Sequence, residues 1–361
     1  MKKNKTFLKK TAAILLAICI VENLVPHCLL SAATTNTVNA TEQTKPEENT
    51  SEVQMSPTAE TITITSKDDF LAFAKNCNTD SWSVGKVIDL QTDIRLNGTD
   101  FSQIPIFSGT FNGNGHTISG FQYEGDGYVT GLFRYLAVGS EINDLTVQGV
   151  IDSKNSKECV GSICGSNAGT INHCTFEGTV NGKNKTGGIV GINEVTGTVR
   201  NCTIRGQVSG YYYTGGIAGQ NFGSLEGCKN EANINADNAW VVEDDGMDWL
   251  KEISESDNNR LQSGVDTGGI VGYSVGIVIN CENTGIVGYK HTGYNIGGIA
   301  GRQSGMLSNC INKGTVYGRK DIGGIVGQME PYLSIDRAAS LEDAVQGLHD
   351  KIDNTLTDMD N

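Results

Sequence analysis

The chain has 361 residues, of which 46 are glycine and only 5 are proline, and its formal net charge at pH 7 is −14. Glycine costs about 1 kcal/mol relative to alanine inside a helix, so this composition excludes a mainly helical protein and favours a repeat array. The acidic balance excludes nucleic acid and anionic membranes as expected partners, because phosphate binding needs clustered lysine and arginine.

Residues 1–40 have the pattern of a signal peptide. Several lysines precede the apolar run 11–21, and small residues suited to cleavage follow at Ala33 and Ala40. Glu22 interrupts the apolar run well before the roughly 20 residues that are needed to span a bilayer. The sequence therefore predicts cleavage, no integral membrane span afterwards, and a protein that is secreted or held at the cell surface.

The next segments of the chain are predicted to be a linker and a cap over the first coil of the array. Residues 41–60 are polar and carry few large apolar side chains, which predicts a disordered linker. Over residues 61–124 we expect an N-terminal cap and the first coils of the array. Ser66 has the character of a helix N-cap, and Phe70 and Phe73 give the helix an apolar face with which to cover the first open rung.

Over residues 125–335 a phrase of the type GGIVG occurs six times. Its central isoleucines are spaced 26, 28, 53, 29 and 26 residues apart: Ile163, Ile189, Ile217, Ile270, Ile299 and Ile325. A cysteine follows five of them with the same period: Cys174, Cys202, Cys228, Cys281 and Cys310. One such unit is too small to bury its apolar residues, whereas units stacked at about 4.8 Å form a continuous core. The period therefore predicts an all-β protein, a parallel β-helix.

These phrases resemble a known family. GGIVG-x-N followed by TVRNC and QVSG resembles the GLUG motif of secreted bacterial proteins, including the N-terminal regions of some immunoglobulin A-cleaving metalloproteases. The earlier stretch FSGTFNGNGHTISGF resembles the first coil of pectin-lyase-like β-helices. The resemblance implies a right-handed parallel β-helix in an extracellular setting, and it brings no catalytic residue.

The 53-residue step contains an insertion, predicted over residues 237–266. It is acidic and carries Trp240 and Trp249. Long loops in repeat arrays often bind ligands, and a flap packed against the solenoid wall is the alternative.

Residues 336–361 predict an amphipathic helix that begins a coiled coil. Its apolar residues have heptad spacing: Leu341, Val345, Leu348, Ile352, Leu356 and Met359. Either the helix associates with another copy of the chain, or the chain is the front of a longer protein.

The repeated cysteines allow three interpretations: an inward ladder of thiols, disulfides, or a metal site. Residues in register on adjacent rungs point the same way, whereas a disulfide needs a torsion near 90°. A thiol also packs well as a small apolar group. We therefore expect a thiol ladder, with Cys159 and Cys164 as the exception most open to a disulfide, and no metal site.

The sequence lacks the complete catalytic motifs of metalloproteases and of pectinases. No histidine is followed by glutamate, so there is no HExxH motif. Asn78, Thr79 and Asp80 copy a pectinase motif without its companions. We predict no catalytic residue and no cofactor; a polysaccharide-degrading hydrolase or lyase that uses the β-helix groove is the alternative.

Aligning the repeats by their cysteines brings several tyrosines to one corner of the coil. Tyrosine suits binding because it combines contact area with a polar tip, although ordinary corner packing is the alternative. The candidate ligand-binding residues are Tyr211, Tyr212, Tyr213, Tyr289, Tyr317, Trp240 and Trp249. We predict a binding, adhesion or spacer module whose ligand is a glycan or an extracellular protein of a host.

Overall fold

A computed structural model describes residues 60–97, 101–125, 127–153, 159–236 and 264–331. These residues form an all-β parallel solenoid of about eight turns. Outside the described residues lie the predicted signal peptide, residues 41–59 of the linker, residues 237–263 of the insertion with both of its tryptophans, and the heptad segment. The handedness of the coil stays a prediction.

Four parallel sheets, numbered I to IV in the order in which the chain visits them, form the walls. Sheet I contains β1 (Thr61–Ile64), β2 (Val87–Leu90), β5 (Thr110–Asn112), β9 (Glu141–Asn143), β13 (Thr170–Asn172), β17 (Thr198–Arg200), β21 (Ser224–Glu226), β26 (Ile277–Ile279) and β30 (Met306–Ser308). Sheet II contains β3 (Ile94–Arg95), β6 (Thr117–Glu124), β10 (Thr146–Asp152), β14 (Thr175–Asn181), β18 (Thr203–Ser209), β22 (Lys229–Asn230), β23 (Asn233–Ile234), β27 (Glu282–Asn283) and β31 (Ile311–Asn312).

Sheets III and IV flank the GGIVG phrases. Sheet III contains β7 (Val129–Thr130), β11 (Cys159–Val160), β15 (Asn184–Gly187), β19 (Tyr212–Gly215), β24 (Val265–Gly268), β28 (Tyr294–Gly297) and β32 (Lys320–Gly323). Sheet IV contains β4 (Ile104–Phe107), β8 (Phe133–Leu136), β12 (Cys164–Asn167), β16 (Val190–Asn193), β20 (Ala218–Asn221), β25 (Val271–Ser274), β29 (Ala300–Gln303) and β33 (Val326–Met329).

The register is continuous across the insertion. Tyr212 pairs with Val265, and Ala218 pairs with Val271, so the coils on either side of residues 237–263 stack directly. The 53-residue step is one coil plus an insertion. Val265 and Asp266, which the sequence places in the insertion, already belong to the ladder of sheet III.

The GGIVG phrase makes the tight turn between sheets III and IV. Five of the six central isoleucines are fully buried: Ile163, Ile189, Ile217, Ile270 and Ile299. The glycines around them allow the close approach of the two strands, because a β-carbon at Gly187 would overlap the carbonyl oxygen of Val190. Each phrase thus delivers one isoleucine to the core and keeps the turn narrow.

A second corner explains why an asparagine so often precedes each repeat cysteine. The residues at this corner have a left-handed backbone with φ between 52° and 61°: Asp144, His173, Asn201, Gly227, Asn280 and Asn309. Asparagine, aspartate and glycine tolerate this conformation better than other residues. The corner turns the next residue into the core, where Cys174, Cys202, Cys228 and Cys281 are buried and Cys310 is partly buried.

The repeat cysteines form the predicted ladder of thiols. The eight described cysteines form no disulfide, and Cys159 and Cys164, for which a disulfide was the alternative, are among them. Burial raises the pKa of the Cys202 thiol, and hydrogen bonds with the thiols of Cys174 and Cys228 raise it further. The ladder acts as an apolar stripe of the core.

A ladder of buried polar side chains runs along the last residues of the strands of sheet IV. Asn167 Nδ2 donates to Asn193 Oδ1 at 2.8 Å, and Asn193 Nδ2 donates to Asn221 Oδ1 at 2.8 Å. Asn221 Nδ2 then donates to the hydroxyl of Ser274 at 3.1 Å. Since an unpaired buried amide is costly, this ladder fixes the register between coils.

The described residues contain one helix, α1 (Lys67–Asn76). Ser66 is its N-cap, and its Oγ accepts a hydrogen bond from the backbone N–H of Asp69 at 3.2 Å. Phe70 and Phe73 are buried, and the ring of Phe73 lies 5.7 Å from that of Phe111. The role of α1 as an end cap stays a prediction.

Candidate binding site

Three of the candidate tyrosines lie together at the start of β19. We call Tyr211, Tyr212 and Tyr213 the tyrosine edge. The rings of Tyr211 and Tyr212 meet edge to face with centroids 4.4 Å apart, and 40% of Tyr212 is exposed. A hydrogen bond with Tyr211 raises the pKa of the Tyr212 phenol, so Tyr212 is a neutral hydrogen-bonding group at physiological pH.

A shallow depression of about 300 Å³ adjoins the tyrosine edge. Its lining consists of Asn184, Lys185, Tyr212 and Tyr213. Asn184 pairs with Tyr212 in the ladder of sheet III, so the depression spans two neighbouring coils. Aromatic, amide and ammonium groups meet there.

Two residues of the depression have an unfavourable backbone. Lys185 has a φ of 44° and Tyr213 a φ of 53°. The residues at the same place in later coils are Asp266, Asn295 and Asp321, which also have a positive φ. Aspartate and asparagine suit this corner, whereas a lysine or a tyrosine pays about 1–2 kcal/mol for it. Such strain is typical of positions whose side chains are needed for function.

Tyr213 reaches across to sheet IV. Its ring centroid lies 5.7 Å from that of Tyr273, and the planes are tilted by 33°. The guanidinium of Arg302 lies 4.4 Å from the ring centroid of Tyr273 and 5.8 Å from that of Tyr213. Arg302 Nη2 is also 3.4 Å from the Tyr213 hydroxyl. The three side chains form a stack that joins the tyrosine edge to sheet IV.

Two carboxylates form ion pairs with the guanidinium of Arg302. Arg302 Nη2 donates to Asp266 Oδ2 at 2.9 Å, and Nη1 donates to Glu330 Oε1 at 3.2 Å. Asn295 Nδ2 donates to the second oxygen of Asp266 at 2.7 Å. Burial raises the pKa of the Asp266 carboxyl, against the opposing effects of Asn295 and Arg302.

Tyr289 and Tyr317 do not continue the tyrosine edge. The backbone N–H of Tyr317 donates to the carbonyl of Val287, which places Tyr317 opposite Gly288 rather than opposite Tyr289. The ammonium of Lys290 lies 5.5 Å from the centre of the Tyr317 ring. The expected single stripe is therefore divided in the structure, and only Tyr211 to Tyr213 lie together.

The sequence reasoning missed Tyr273, Arg302, Asp266 and Lys185. A signal for them exists in the repeats, because Tyr273 and Arg302 each stand three residues after a central isoleucine. Lys185, Tyr213 and Asp266 each stand four residues before one. Counting from the isoleucines, rather than from the cysteines, aligns the residues that meet between sheets III and IV.

The described part of the chain has neither a grouped set of metal ligands nor a membrane-spanning helix. It contains no group of three histidine, cysteine, aspartate or glutamate side chains placed to hold a metal ion. It also contains no helix that is long and apolar enough to cross a membrane.

The comparison with protein families agrees with the repeats. The model of the GLUG motif matches residues 210–235, a stretch that includes the whole tyrosine edge. Together with the solenoid of about eight turns, this match confirms the prediction from the repeats. The chain thus contains a GLUG motif within a β-solenoid.

One curated relative is similar over part of the chain. A stretch of 91 residues is 44% identical to halomucin of Haloquadratum walsbyi, and it covers 25% of this chain and 1% of halomucin. The chain thus spans a very small part of the length of that relative. No solved structure matches the chain.

Proposed function

We propose that the chain is a non-catalytic module of an exported surface protein and that it binds a glycan at the tyrosine edge. The signal-peptide pattern and the similarity to part of halomucin support the surface setting. The observation that carries the binding proposal is the pair Lys185 and Tyr213. Both line the depression, and both occupy a left-handed position that other coils fill with aspartate or asparagine.

The chemistry of the depression favours a saccharide. Sugar rings present an apolar face of C–H groups that packs against tyrosine, and their hydroxyls need amide, phenol and ammonium partners. The exposed ring of Tyr212 supplies the apolar contact, and Asn184, Lys185 and the phenols supply the polar partners. The volume lies at the small end of ligand sites, which suits a terminal sugar.

A glycan array probed with the full chain tests this proposal. We expect binding to a restricted set of glycans and its loss in Tyr212→Ala. Tyr135→Ala is the matched control, because Tyr135 is 38% exposed and lies in a different coil. Absence of glycan binding, or equal binding by both variants, would refute the proposal. Capture of an extracellular protein instead would favour the adhesion alternative, and release of reducing ends from a polysaccharide would favour an enzyme.

Two finer features belong to the same proposal. We propose that α1 closes the N-terminal end of the core, since Phe70 and Phe73 are buried among the first coils. We also propose that residues 336–361 mediate self-association through their heptad residues. Sedimentation of the native chain and of Leu348→Glu tests the second point. The same apparent mass for both would refute self-association through the heptad residues.

A further inference from the structure

Arg302 occupies an unusual place for a charged side chain. Its guanidinium faces the ring of Tyr273 at 4.4 Å, and it contacts Asp266, Glu330 and the Tyr213 hydroxyl. Its Nε is buried without a hydrogen-bond partner. Stacking on the ring, as well as hydrogen bonding, therefore determines where the guanidinium plane lies.

Tyr273 and Arg302 together constrain the side chain of Tyr213. Tyr213 needs support because its left-handed backbone is unfavourable for a bulky residue. Its ring contacts Tyr273 and the guanidinium on the side of sheet IV, while the same residue lines the depression. A planar group with several donors can contact both rings and both carboxylates together, which a lysine ammonium cannot do.

We propose that Arg302 is a positioning residue: stacked on Tyr273 and tied to Asp266 and Glu330, it fixes the ring of Tyr213 in the wall of the depression. The consequence for ligand binding rests on the function proposed above. The orientation of the ring does not, and it is open to measurement without any ligand.

The test uses the full chain labelled with 13C-tyrosine and its aromatic 1H–13C spectra, with Tyr213 assigned through Tyr213→Phe. Arg302→Lys keeps the positive charge but removes the planar stack, and we expect the Tyr213 signals to shift towards those of free tyrosine. Tyr273→Leu should produce the same shift, whereas Tyr273→Phe, which keeps the ring, should not. Arg134→Lys is the control, because Arg134 lies 5.8 Å from the ring of Tyr135 in an earlier coil.

The outcomes separate the two proposals. Unchanged Tyr213 signals in Arg302→Lys and Tyr273→Leu, or equal shifts in Tyr273→Leu and Tyr273→Phe, would overturn the positioning role. If Arg302→Lys does not fold, the two Tyr273 variants decide. If the array finds no glycan, the proposed function fails while the spectra still decide the role of Arg302. If a glycan is found, its affinity should fall in Arg302→Lys and stay unchanged in Arg134→Lys.

Discussion

Ile299 and Ile325 occupy the same position in successive coils and are joined by a backbone hydrogen bond of 2.8 Å, yet Ile299 is fully buried and 38% of Ile325 is exposed. The difference arises because each coil is covered by the next one. The last described coil accordingly exposes large apolar side chains whose counterparts in the preceding coil are buried: Ile322, Ile325 and Met329. Burial of the isoleucine is a property of stacking and not of the phrase itself.

This pair of residues gives the first prediction. Ile299→Ala should lower the free energy of unfolding by about 2–5 kcal/mol, because it opens a cavity in a closely packed core. Ile325→Ala should cost about 1 kcal/mol or less, since part of the side chain already contacts solvent. Urea unfolding followed by circular dichroism measures both. Equal costs would show that the last coil is covered as fully as the inner ones.

The buried amide ladder gives the second prediction. Asn193→Ala should lower the free energy of unfolding by about 2–4 kcal/mol, because it leaves Asn167, Asn221 and the carbonyl of Gly197 without their amide partner. Asn172→Ala is the control, since the hydrogen bonds that its side chain accepts from Arg200 and Asn201 are exposed and their loss should cost about 0.5 kcal/mol. A neutral Asn193→Ala would contradict a role of the ladder in fixing the register.

The strained corner gives the third prediction. Lys185→Asn should raise the free energy of unfolding by about 0.5–1 kcal/mol, because asparagine tolerates a positive φ better than lysine. The reverse change, Asp321→Lys, should lower it by a similar amount at the same place in the last coil. Thermal unfolding of both variants provides the check. A destabilised Lys185→Asn would mean that contacts of the lysine outweigh the backbone strain.

The buried thiols give the fourth prediction. Burial raises the pKa of Cys77 from 9.0 to about 12, so this thiol stays protonated in the folded protein while it ionises in the unfolded chain. Its contribution to stability is therefore complete below pH 9 and is lost as the pH rises from 9 to about 12. Cys77→Ala should flatten this decline in urea unfolding measured across that range. An equally steep decline in the variant would exclude Cys77 as its cause.

The solenoid could be predicted from the sequence because the residues that mark the period of the repeat each have one structural role. The isoleucines and cysteines repeat with the coil, and a pattern that places one buried residue per wall fixes the stack. The insertion between Ile217 and Ile270 does not disturb this, since both coils keep their register. The left-handed corner before the repeat cysteines has an asparagine in three of the five repeats, at Asn201, Asn280 and Asn309.

The binding site was only partly predictable. Counting from the cysteines grouped Tyr289 and Tyr317 with the tyrosine edge, but the chain length between the strands of sheets II and III differs from coil to coil. The tyrosines therefore fall out of register there. The stack of Tyr213 with Tyr273 and Arg302 depends on how closely sheets III and IV approach across the glycine turn, which the order of residues does not reveal by itself.

The measurement that tests the central proposal most directly is calorimetric titration of the full chain with the strongest glycan of the array, comparing the native chain with Tyr213→Asn. Asparagine suits the left-handed corner, so we expect the free energy of unfolding to change by less than about 1 kcal/mol. We expect the affinity for the glycan to fall at least about tenfold, because an aromatic contact of the site is lost. Unchanged affinity in a stably folded Tyr213→Asn would contradict a binding site at the tyrosine edge.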